Sequence, residues 1–344
     1  MANRFSRRDF LKLLSTGMAG IVLRPEKNKL LMPQIIFGRV TSETLSVYEK
    51  PSDKSRIMFQ RFRDDILNIY QEIESAEGPA YNPIWYRVWG GYVHSGFVQK
   101  VTYQLNPLME SFSSKGNLME LTVPYAQSYL LSRTGQWSRF YTLYYASTHW
   151  VFSQLDGPDG QPWYEIGDGL VTLSYYVPGI YLRNIREEEL QPISPLVEPR
   201  TKKIEISIQS QTLTAYEGDR IVKQARVSTG MHSSHPDPNM IPTDTPKGTF
   251  HIFAKKPSVH MGDGTLRSDA EAYELPGVPW VSYVEASTGV AIHGTYWHNN
   301  YGVQMSHGCI NMLSQDAKWI YLWSTPSPPS AEDQVKIRTR VTIK

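Results

Sequence analysis

Val290-Ala291-Ile292-His293-Gly294-Thr295 and Ser306-His307-Gly308-Cys309-Ile310-Asn311 are the two segments on which the interpretation of this chain depends. The second contains Cys309, the only cysteine in 344 residues, with His293 sixteen positions before it and His307 two positions before it. A thiol becomes a better nucleophile when a base accepts its proton, and backbone N–H groups stabilise the oxyanion that its attack creates. These residue types predict a cysteine nucleophile with a histidine base in a glycine-flanked loop.

The composition is that of a globular protein with more than one domain. A chain of 344 residues is longer than one ordinary hydrophobic core supports, so we expect two or three domains. A net charge of +2 provides no concentrated basic face for nucleic acid. Aromatic residues make up 12% of the chain, which favours short β-strands. A single cysteine excludes an intramolecular disulfide, so reactivity explains it better than the alternative of a small buried hydrophobe.

The first 30 residues predict an export signal. Ser6-Arg7-Arg8-Asp9-Phe10-Leu11-Lys12 precedes an apolar run from Leu13 to Leu23. The paired arginines and this run resemble a twin-arginine signal peptide, and the run is shorter than the roughly 20 residues that span a bilayer. The resemblance implies export through that pathway to the cell envelope, in association with the cell wall. The alternative is a basic, frayed terminus.

Two copies of a small β module are predicted in the middle of the chain. Ile84-Trp85-Tyr86-Arg87-Val88 and the glycine-flanked segment after it are echoed by Pro162-Trp163-Tyr164-Glu165-Ile166 and its own following segment. The pattern resembles bacterial SH3-like barrels at residues 35–103 and, more loosely, at 120–186. The resemblance implies modules that bind cell-wall peptide or glycan. The alternative is that these aromatic side chains alternate between core and surface and bind nothing.

Residues 187–201 are predicted to be a linker to a C-terminal domain at 202–344. The segment contains three consecutive glutamates and three prolines, and proline ends regular structure and stiffens an extended chain. Beyond it, alternating apolar positions predict an antiparallel β meander, and Ser314 is a predicted N-cap of one short helix that ends near Trp323. The predicted fold class is mainly β: a β-rich C-terminal domain with one short helix, preceded by two small β-barrels.

The motifs of the C-terminal domain occur in a known order. Val227 to Gly230 and Thr245 to Phe250 precede His293-Gly294, and the segment Ser306 to Asn311 follows after variable residues. In this order they resemble the catalytic domain of the L,D-transpeptidases, which cross-link peptidoglycan. The resemblance implies a β-rich fold unlike that of the penicillin-binding proteins, and no metal or other cofactor.

The resemblance also implies a reaction and a set of roles. Cys309 is the nucleophile that attacks a peptidoglycan stem peptide next to its terminal D-residue, and an amine on a neighbouring stem resolves the thioester. His293 is the general base, with the Gly294 carbonyl as its orienting partner, while His307 is expected to position substrate or tune charge. The backbone N–H groups of Gly308 and Cys309 are expected to form the oxyanion hole. The predicted substrate-binding residues are Tyr296, Trp297, Ser306 and Asn311. Asn311 is also expected to pin the loop, with the alternative of a plain turn stabiliser, and residues 296–301 are expected to form an aromatic flap or groove wall.

Stem peptides are the expected partners, as donor and as acceptor, with no nucleic acid and a monomeric enzyme. Three alternatives remain from the sequence. Water as the acceptor would make the protein an L,D-carboxypeptidase, and loss of catalysis would make it a wall-binding protein. His293, His307 and Cys309 offer zinc-ligand chemistry, although a structural zinc site has four protein ligands and no second cysteine exists. His307 is also a rival to His293 as the base.

Overall fold

The computed structural model describes residues 36–232, 243–262, 274–325 and 338–344. The predicted signal peptide at 1–30 lies outside the described residues. Strands dominate the described part of the chain, which contains one α-helix, so the predicted mainly β fold class is confirmed. No helix among these residues is long and apolar enough to cross a membrane.

Residues 36–101 form two facing sheets around one small core. The three-stranded sheet has the order β4-β1-β8, and the five-stranded sheet has the order β3-β2-β7-β6-β5. Both sheets contribute apolar side chains to the core between them. The strands are β1 (Ile36–Val40), β2 (Thr44–Tyr48), β3 (Ile57–Phe62), β4 (Ile66–Ile69), β5 (Gln71–Glu74), β6 (Ile84–Val88), β7 (Gly91–His94) and β8 (Val98–Val101).

Residues 117–184 form a single seven-stranded antiparallel sheet with its own core. Its order is β11-β10-β14-β13-β12-β9-β15, in which the last strand returns to pair with the first. The strands are β9 (Asn117–Leu121), β10 (Tyr125–Leu131), β11 (Trp137–Tyr144), β12 (Thr148–Asp156), β13 (Pro162–Gly167), β14 (Ser174–Pro178) and β15 (Leu182–Asn184).

The two Trp-Tyr pairs do not alternate between core and surface, so that part of the alternative interpretation is wrong. Trp85 and Tyr86 are 0% and 2% exposed, and Trp163 and Tyr164 are 5% and 0% exposed. In each module a glycine-containing turn covers the tryptophan face of the strand. A Cβ on Gly78 would lie 2.3 Å from the Trp85 ring, and the turn at Gly157 approaches Trp163 equally closely. Both aromatic side chains of each Trp-Tyr pair are therefore buried.

The C-terminal residues form two sheets and a helix. The first sheet has the order β18-β17-β16-β24-β19, and the second has the order β20-β21-β22-β23. The meander prediction holds for β16–β18, whereas β24 and β23 pair in parallel with β16 and β22. The elements are β16 (Lys202–Ser207), β17 (Thr212–Glu217), β18 (Arg220–Arg226), β19 (Gly248–His251), β20 (Ala254–Gly262), β21 (Glu274–Tyr283), β22 (Ala291–Thr295), β23 (Ile310–Leu313), α1 (Ser314–Trp323) and β24 (Arg340–Ile343).

Helix α1 lies directly after the cysteine segment and packs on the core. It buries Ala317, Ile320 and Trp323, which share one face at helical spacing. Leu313 occupies the N-cap position, so the predicted cap at Ser314 is wrong by one residue. The Ser314 hydroxyl lies 3.5 Å from the Thr295 carbonyl, at the end of the strand that carries His293.

Residues 187–201, the predicted linker, are attached to the C-terminal domain. Glu189 accepts a hydrogen bond from Arg183 at 2.7 Å and pairs with Lys318 on helix α1. The N–H of Ile193 donates to the carbonyl of Leu322, and the Lys202 ammonium donates to the carbonyl of Ile193. The segment begins and ends in short 3-10 helices, Glu187–Leu190 and Pro199–Thr201, and is held by these contacts.

Candidate active site

Strand β22 holds His293 rigidly in the interior. The strand lies between β21 and β23, and the residue is 2% exposed. The imidazole Nδ1–H donates to the Gly294 carbonyl at 3.0 Å, which is the partner that the family resemblance implied. Donation at Nδ1 leaves Nε2 with a free lone pair, so the ring is prepared to accept a proton there.

The strand register places Cys309 on the same face as His293. Ile310 pairs in parallel with Ile292, so Cys309 lies beside Ala291 and His293 lies one alternation further along the neighbouring strand. Residues two apart in a strand point to the same side of the sheet, which places the thiol and the imidazole as diagonal neighbours. Cys309 is half-buried and packs with Ala291 and Trp297 in a small apolar cluster.

Burial favours the neutral form of both candidate catalytic groups. It raises the pKa of the Cys309 thiol above its ordinary value, although the backbone of Ala291 opposes the shift through a hydrogen bond. Burial lowers the pKa of His293 to about 4, against a smaller opposing effect of the Gly294 carbonyl. The resting site therefore holds a neutral thiol and a neutral imidazole, which differs from the ion pair that cysteine–histidine sites often contain.

Gly308 has a backbone conformation that only glycine adopts easily. Its φ of 109° lies in the left-handed half of conformational space. Its carbonyl accepts a hydrogen bond of 2.7 Å from the Thr245 hydroxyl, which in turn accepts one from the Gly230 N–H. Gly230 packs so closely that an added Cβ would lie 2.9 Å from the Gly308 Cα. The two upstream motifs thus form a support beneath the cysteine loop.

The support at Gly308 orients the predicted oxyanion hole. The C=O and N–H of a trans peptide point in opposite directions, so a Gly308 carbonyl held by Thr245 directs the Cys309 N–H to the other side. Among the turn and loop hydrogen bonds of the described residues, neither the Gly308 N–H nor the Cys309 N–H donates to another backbone carbonyl. Both N–H groups are candidate donors to a developing oxyanion. The sequence contained Thr245 within a family motif but gave it no role.

Ser306 and Asn311 hold the loop rather than lining a groove. Ser306 is 5% exposed, and its hydroxyl donates to the Cys309 carbonyl, which closes the turn around the cysteine. Asn311 is 2% exposed, and its backbone exchanges two hydrogen bonds with Ser228. The backbone hydrogen bonds of Asn311 agree with the expectation that it pins the loop, and substrate binding by the two side chains stays a prediction.

A second buried histidine, His298, supports Asn311. Its Nδ1 accepts the Asn300 N–H at 3.2 Å, and its Nε2 lies 3.0 Å from the Asn311 amide. Burial lowers the pKa of His298 to about 4, so the ring is neutral and carries its proton on Nε2. Because that proton needs an oxygen acceptor, we assign the Asn311 amide with its oxygen towards His298. The sequence gave no signal for this pair.

The remaining predicted residues, Tyr296, Trp297 and His307, differ in burial and in their distance from His293. Tyr296 is 1% exposed, and its hydroxyl donates to the Pro276 carbonyl at 2.9 Å, while its contact with substrate stays a prediction. Trp297 is half-buried, and its ring centroid lies 5.8 Å from that of His293, so it forms part of the site wall. His307 is exposed beside Gly308. Residues 296–301 are mostly buried and contact the N-terminal modules, so they are not a free flap.

The described residues contain no group of three or more His, Cys, Asp or Glu side chains arranged to hold a metal ion. Within the same residues, the site is built from one thiol, one anchored imidazole and backbone donors. This combination suits acyl transfer through a covalent thioester.

Comparisons with known proteins find similarity to L,D-transpeptidases. Residues 201–343 match the family model of the YkuD L,D-transpeptidase catalytic domain. A putative L,D-transpeptidase YkuD of Bacillus licheniformis is 30% identical over 118 residues, which cover 33% of this chain and 54% of that protein. The putative L,D-transpeptidase YciB of Bacillus subtilis is 22% identical over 143 residues, which cover 37% of this chain and 63% of that protein. The chain thus spans about half to two-thirds of the length of these relatives.

Solved structures with some likeness include an L,D-transpeptidase from Mycobacterium smegmatis. It is 21% identical with a TM-score of 0.31, and the match covers 56% of this chain and 76% of that one. An L,D-transpeptidase from Xylanimonas cellulosilytica is 22% identical with a TM-score of 0.30, and the match covers 42% and 60%. The family model of the L,D-transpeptidase catalytic domain thus matches the part of the chain that contains His293 and Cys309.

Proposed function

We propose that the protein is an exported, cysteine-dependent L,D-transpeptidase that acts on peptidoglycan stem peptides. The observation that carries the proposal is the strand register, which aligns Cys309 with an imidazole, His293, whose Nδ1 is fixed by a carbonyl. The peptidoglycan substrate follows from the family to which residues 201–343 belong.

The first half of the reaction is acylation of Cys309. His293 Nε2 accepts the thiol proton as sulfur attacks the stem carbonyl that precedes the terminal D-residue. The N–H groups of Gly308 and Cys309 stabilise the oxyanion. When the tetrahedral intermediate collapses, the carbon–nitrogen bond breaks and the leaving amine takes the proton from His293 Nε2.

The second half returns the enzyme to its starting state. An acceptor amine attacks the thioester and gives its proton to His293. The carbon–sulfur bond then breaks, and the thiolate takes that proton back from the imidazolium. With an amine of a neighbouring stem, the product is a 3→3 cross-link or an attached group. With water as the acceptor, the same residues perform L,D-carboxypeptidation.

The test is an assay of the full chain with a soluble tetrapeptide stem. We expect release of the terminal D-amino acid together with a cross-linked dimer, and no release by Cys309→Ala. A variant of an exposed residue of the first module, Arg56→Met, is the matched control and should retain activity. Release without any dimer would favour the carboxypeptidase, and unchanged release by Cys309→Ala would refute the nucleophile.

Location and wall binding complete the proposal. The twin-arginine pattern at Arg7-Arg8 supports export to the cell envelope. Replacing both arginines by lysine should retain the protein inside the cell, as measured by cell fractionation. The modules at residues 35–103 and 120–186 resemble SH3-like barrels and are proposed to bind the wall. Sedimentation of the full chain with purified sacculi tests this, and a protein that stays in the supernatant would contradict it.

A further inference from the structure

The segment between His293 and Cys309 is held by a buried arginine of the first module. Arg39 on β1 is 2% exposed, and its Nη2 donates to the backbone carbonyl of Tyr296. The same guanidinium donates to Asp64 at 2.8 Å and to Gln99 at 2.8 and 3.1 Å. The guanidinium carbon of Arg39 lies 4.1 Å from the ring centroid of Tyr144, which belongs to the second module. One side chain thus joins both modules to the catalytic domain.

A second anchor lies three residues further along the same segment. The N–H of Asn299 donates to the Gly96 carbonyl at 2.8 Å, and its side chain lies near the Tyr86 hydroxyl. A Cβ on Gly96 would lie 2.4 Å from the Asn300 side-chain oxygen. A methyl group at position 96 would therefore displace the buried Asn300 side chain, next to the Asn299 anchor.

Trp297 lies between these two anchors and faces the site. Its ring centroid lies 5.8 Å from that of His293 and 5.0 Å from that of Tyr296. The ring also belongs to the apolar cluster that includes Cys309. Tyr296 itself is fixed by stacking on Tyr144, with centroids 5.6 Å apart.

We propose that Arg39 and Gly96 are positioning residues, through which the first module holds Trp297 against His293 and completes the catalytic site. The Tyr296 carbonyl is part of the peptide bond between Tyr296 and Trp297. By holding this carbonyl, the guanidinium fixes the orientation of that peptide plane and so the direction of the Trp297 side chain. An Arg fork can hold this carbonyl, Asp64 and Gln99 at once, whereas a lysine ammonium has no planar fork. The catalytic consequence rests on the proposed transpeptidase function, but the placement of Trp297 does not.

The placement is tested in the full chain labelled with 5-fluorotryptophan. The ¹⁹F resonance of Trp297 is assigned by its loss in Trp297→Phe. We expect Arg39→Met to shift or broaden this resonance, while the exposed Arg56→Met leaves it unchanged. A Trp297 resonance that is identical in folded Arg39→Met and in the parent protein would overturn the proposal.

The catalytic consequence is measured from the pH dependence of acylation by the tetrapeptide stem. Loosening of Trp297 in Arg39→Met hydrates His293, so its pKa should rise from about 4 towards the ordinary histidine value of about 6.5. The acid limb of the pH–rate profile should move upwards with this pKa, and kcat/KM should fall about ten- to hundredfold. A merely structural role would lower the amount of folded protein without moving the limb. If the parent protein shows no acylation, the transpeptidase proposal fails and the ¹⁹F result still decides the placement.

Gly96→Ala keeps the test decisive if Arg39→Met does not fold. It disturbs the second anchor without removing a charge, because the added methyl meets Asn300. We expect the same displaced Trp297 resonance and the same shifted acid limb. A folded Gly96→Ala protein with neither change would overturn the proposal.

Discussion

The Thr245 hydroxyl donates a 2.7 Å hydrogen bond to the carbonyl of Gly308, the residue before the candidate nucleophile. Because the peptide between Gly308 and Cys309 is trans, this bond sets the direction of the Cys309 N–H. The hydroxyl lies 63 positions from the carbonyl in sequence, so the proposed oxyanion hole would depend on a distant loop.

We predict that Thr245→Val lowers kcat more than it changes KM. Valine preserves the shape of threonine but cannot donate to Gly308, so the oxyanion donors lose their fixed direction. A misplacement of this kind costs about ten- to hundredfold in rate. Steady-state kinetics with the tetrapeptide stem provide the measurement.

Thr243→Val is the matched control for this prediction. Thr243 lies in the same loop and donates to the Met231 carbonyl, away from Gly308. It should retain the parent kcat. Equal kcat values for Thr245→Val and Thr243→Val would show that the Gly308 support plays no part in the reaction.

A second prediction assigns different roles to His293 and His307. His293→Gln should lose about 10²–10⁴-fold in kcat, which is the usual contribution of a general base. His307 is exposed and adjoins Gly308, so His307→Gln should act mainly through KM. The comparison of the two variants under the same conditions is the measurement. A larger kcat loss for His307→Gln would reverse the assignment.

The pH dependence of acylation gives a third prediction. His293 accepts a proton only when neutral, and burial lowers its pKa to about 4. Activity should therefore persist well below pH 6.5 and fall as the pH approaches about 4. A pH–rate profile for kcat/KM on protein verified as folded at each pH tests this. An acid limb near pH 6.5 would mean that the imidazole is solvated.

A fourth prediction concerns the interface between the second module and the β20–β21 hairpin. His260 on β20 lies 2.6 Å from Asp168 and 2.5 Å from Glu274, and all three side chains are nearly buried. Burial alone would lower the pKa of His260, but the hydrogen bond and charge of Asp168, together with Glu274, raise it. The imidazolium therefore joins two carboxylates across the interface.

Because the pKa of His260 is raised in the folded state, its ion pairs stabilise the fold fully below about pH 6.5. This stabilisation is lost as the pH rises through the raised pKa. We predict that His260→Gln costs about 1.5–3 kcal/mol near pH 6 and less as the pH rises towards 9. Chemical unfolding of both proteins across this range is the measurement. A difference that stays constant with pH would show that His260 is uncharged.

Much of the site was predictable from local sequence. The residue types of the His293-Gly294 and Ser306–Asn311 segments predict a cysteine nucleophile with a histidine base. The carbonyl that holds His293 belongs to Gly294, the next residue in the chain. Helix α1 was predictable because an apolar face repeats at helical spacing after the cysteine segment.

The contacts that were not predictable join residues far apart in sequence. Arg39 reaches Tyr296 across 257 positions, and no local pattern marks either residue as a partner of the other. The polar Asn311 side chain next to the cysteine segment suggested a substrate contact, but Asn311 hydrogen-bonds to His298 and Ser228 in the interior. The burial of both members of each Trp-Tyr pair also needed tertiary structure, because the covering turns are separate from the strands.

The central claim is that Cys309 forms the thioester. The direct measurement is peptide mapping by mass spectrometry, after the full chain is mixed with a tetrapeptide stem without an acceptor amine and quenched in acid. The account predicts an added mass equal to the stem without its terminal D-residue, located on Cys309 and absent from Cys309→Ala. An acyl group on another residue, or D-residue release by Cys309→Ala at the parent rate, would contradict it.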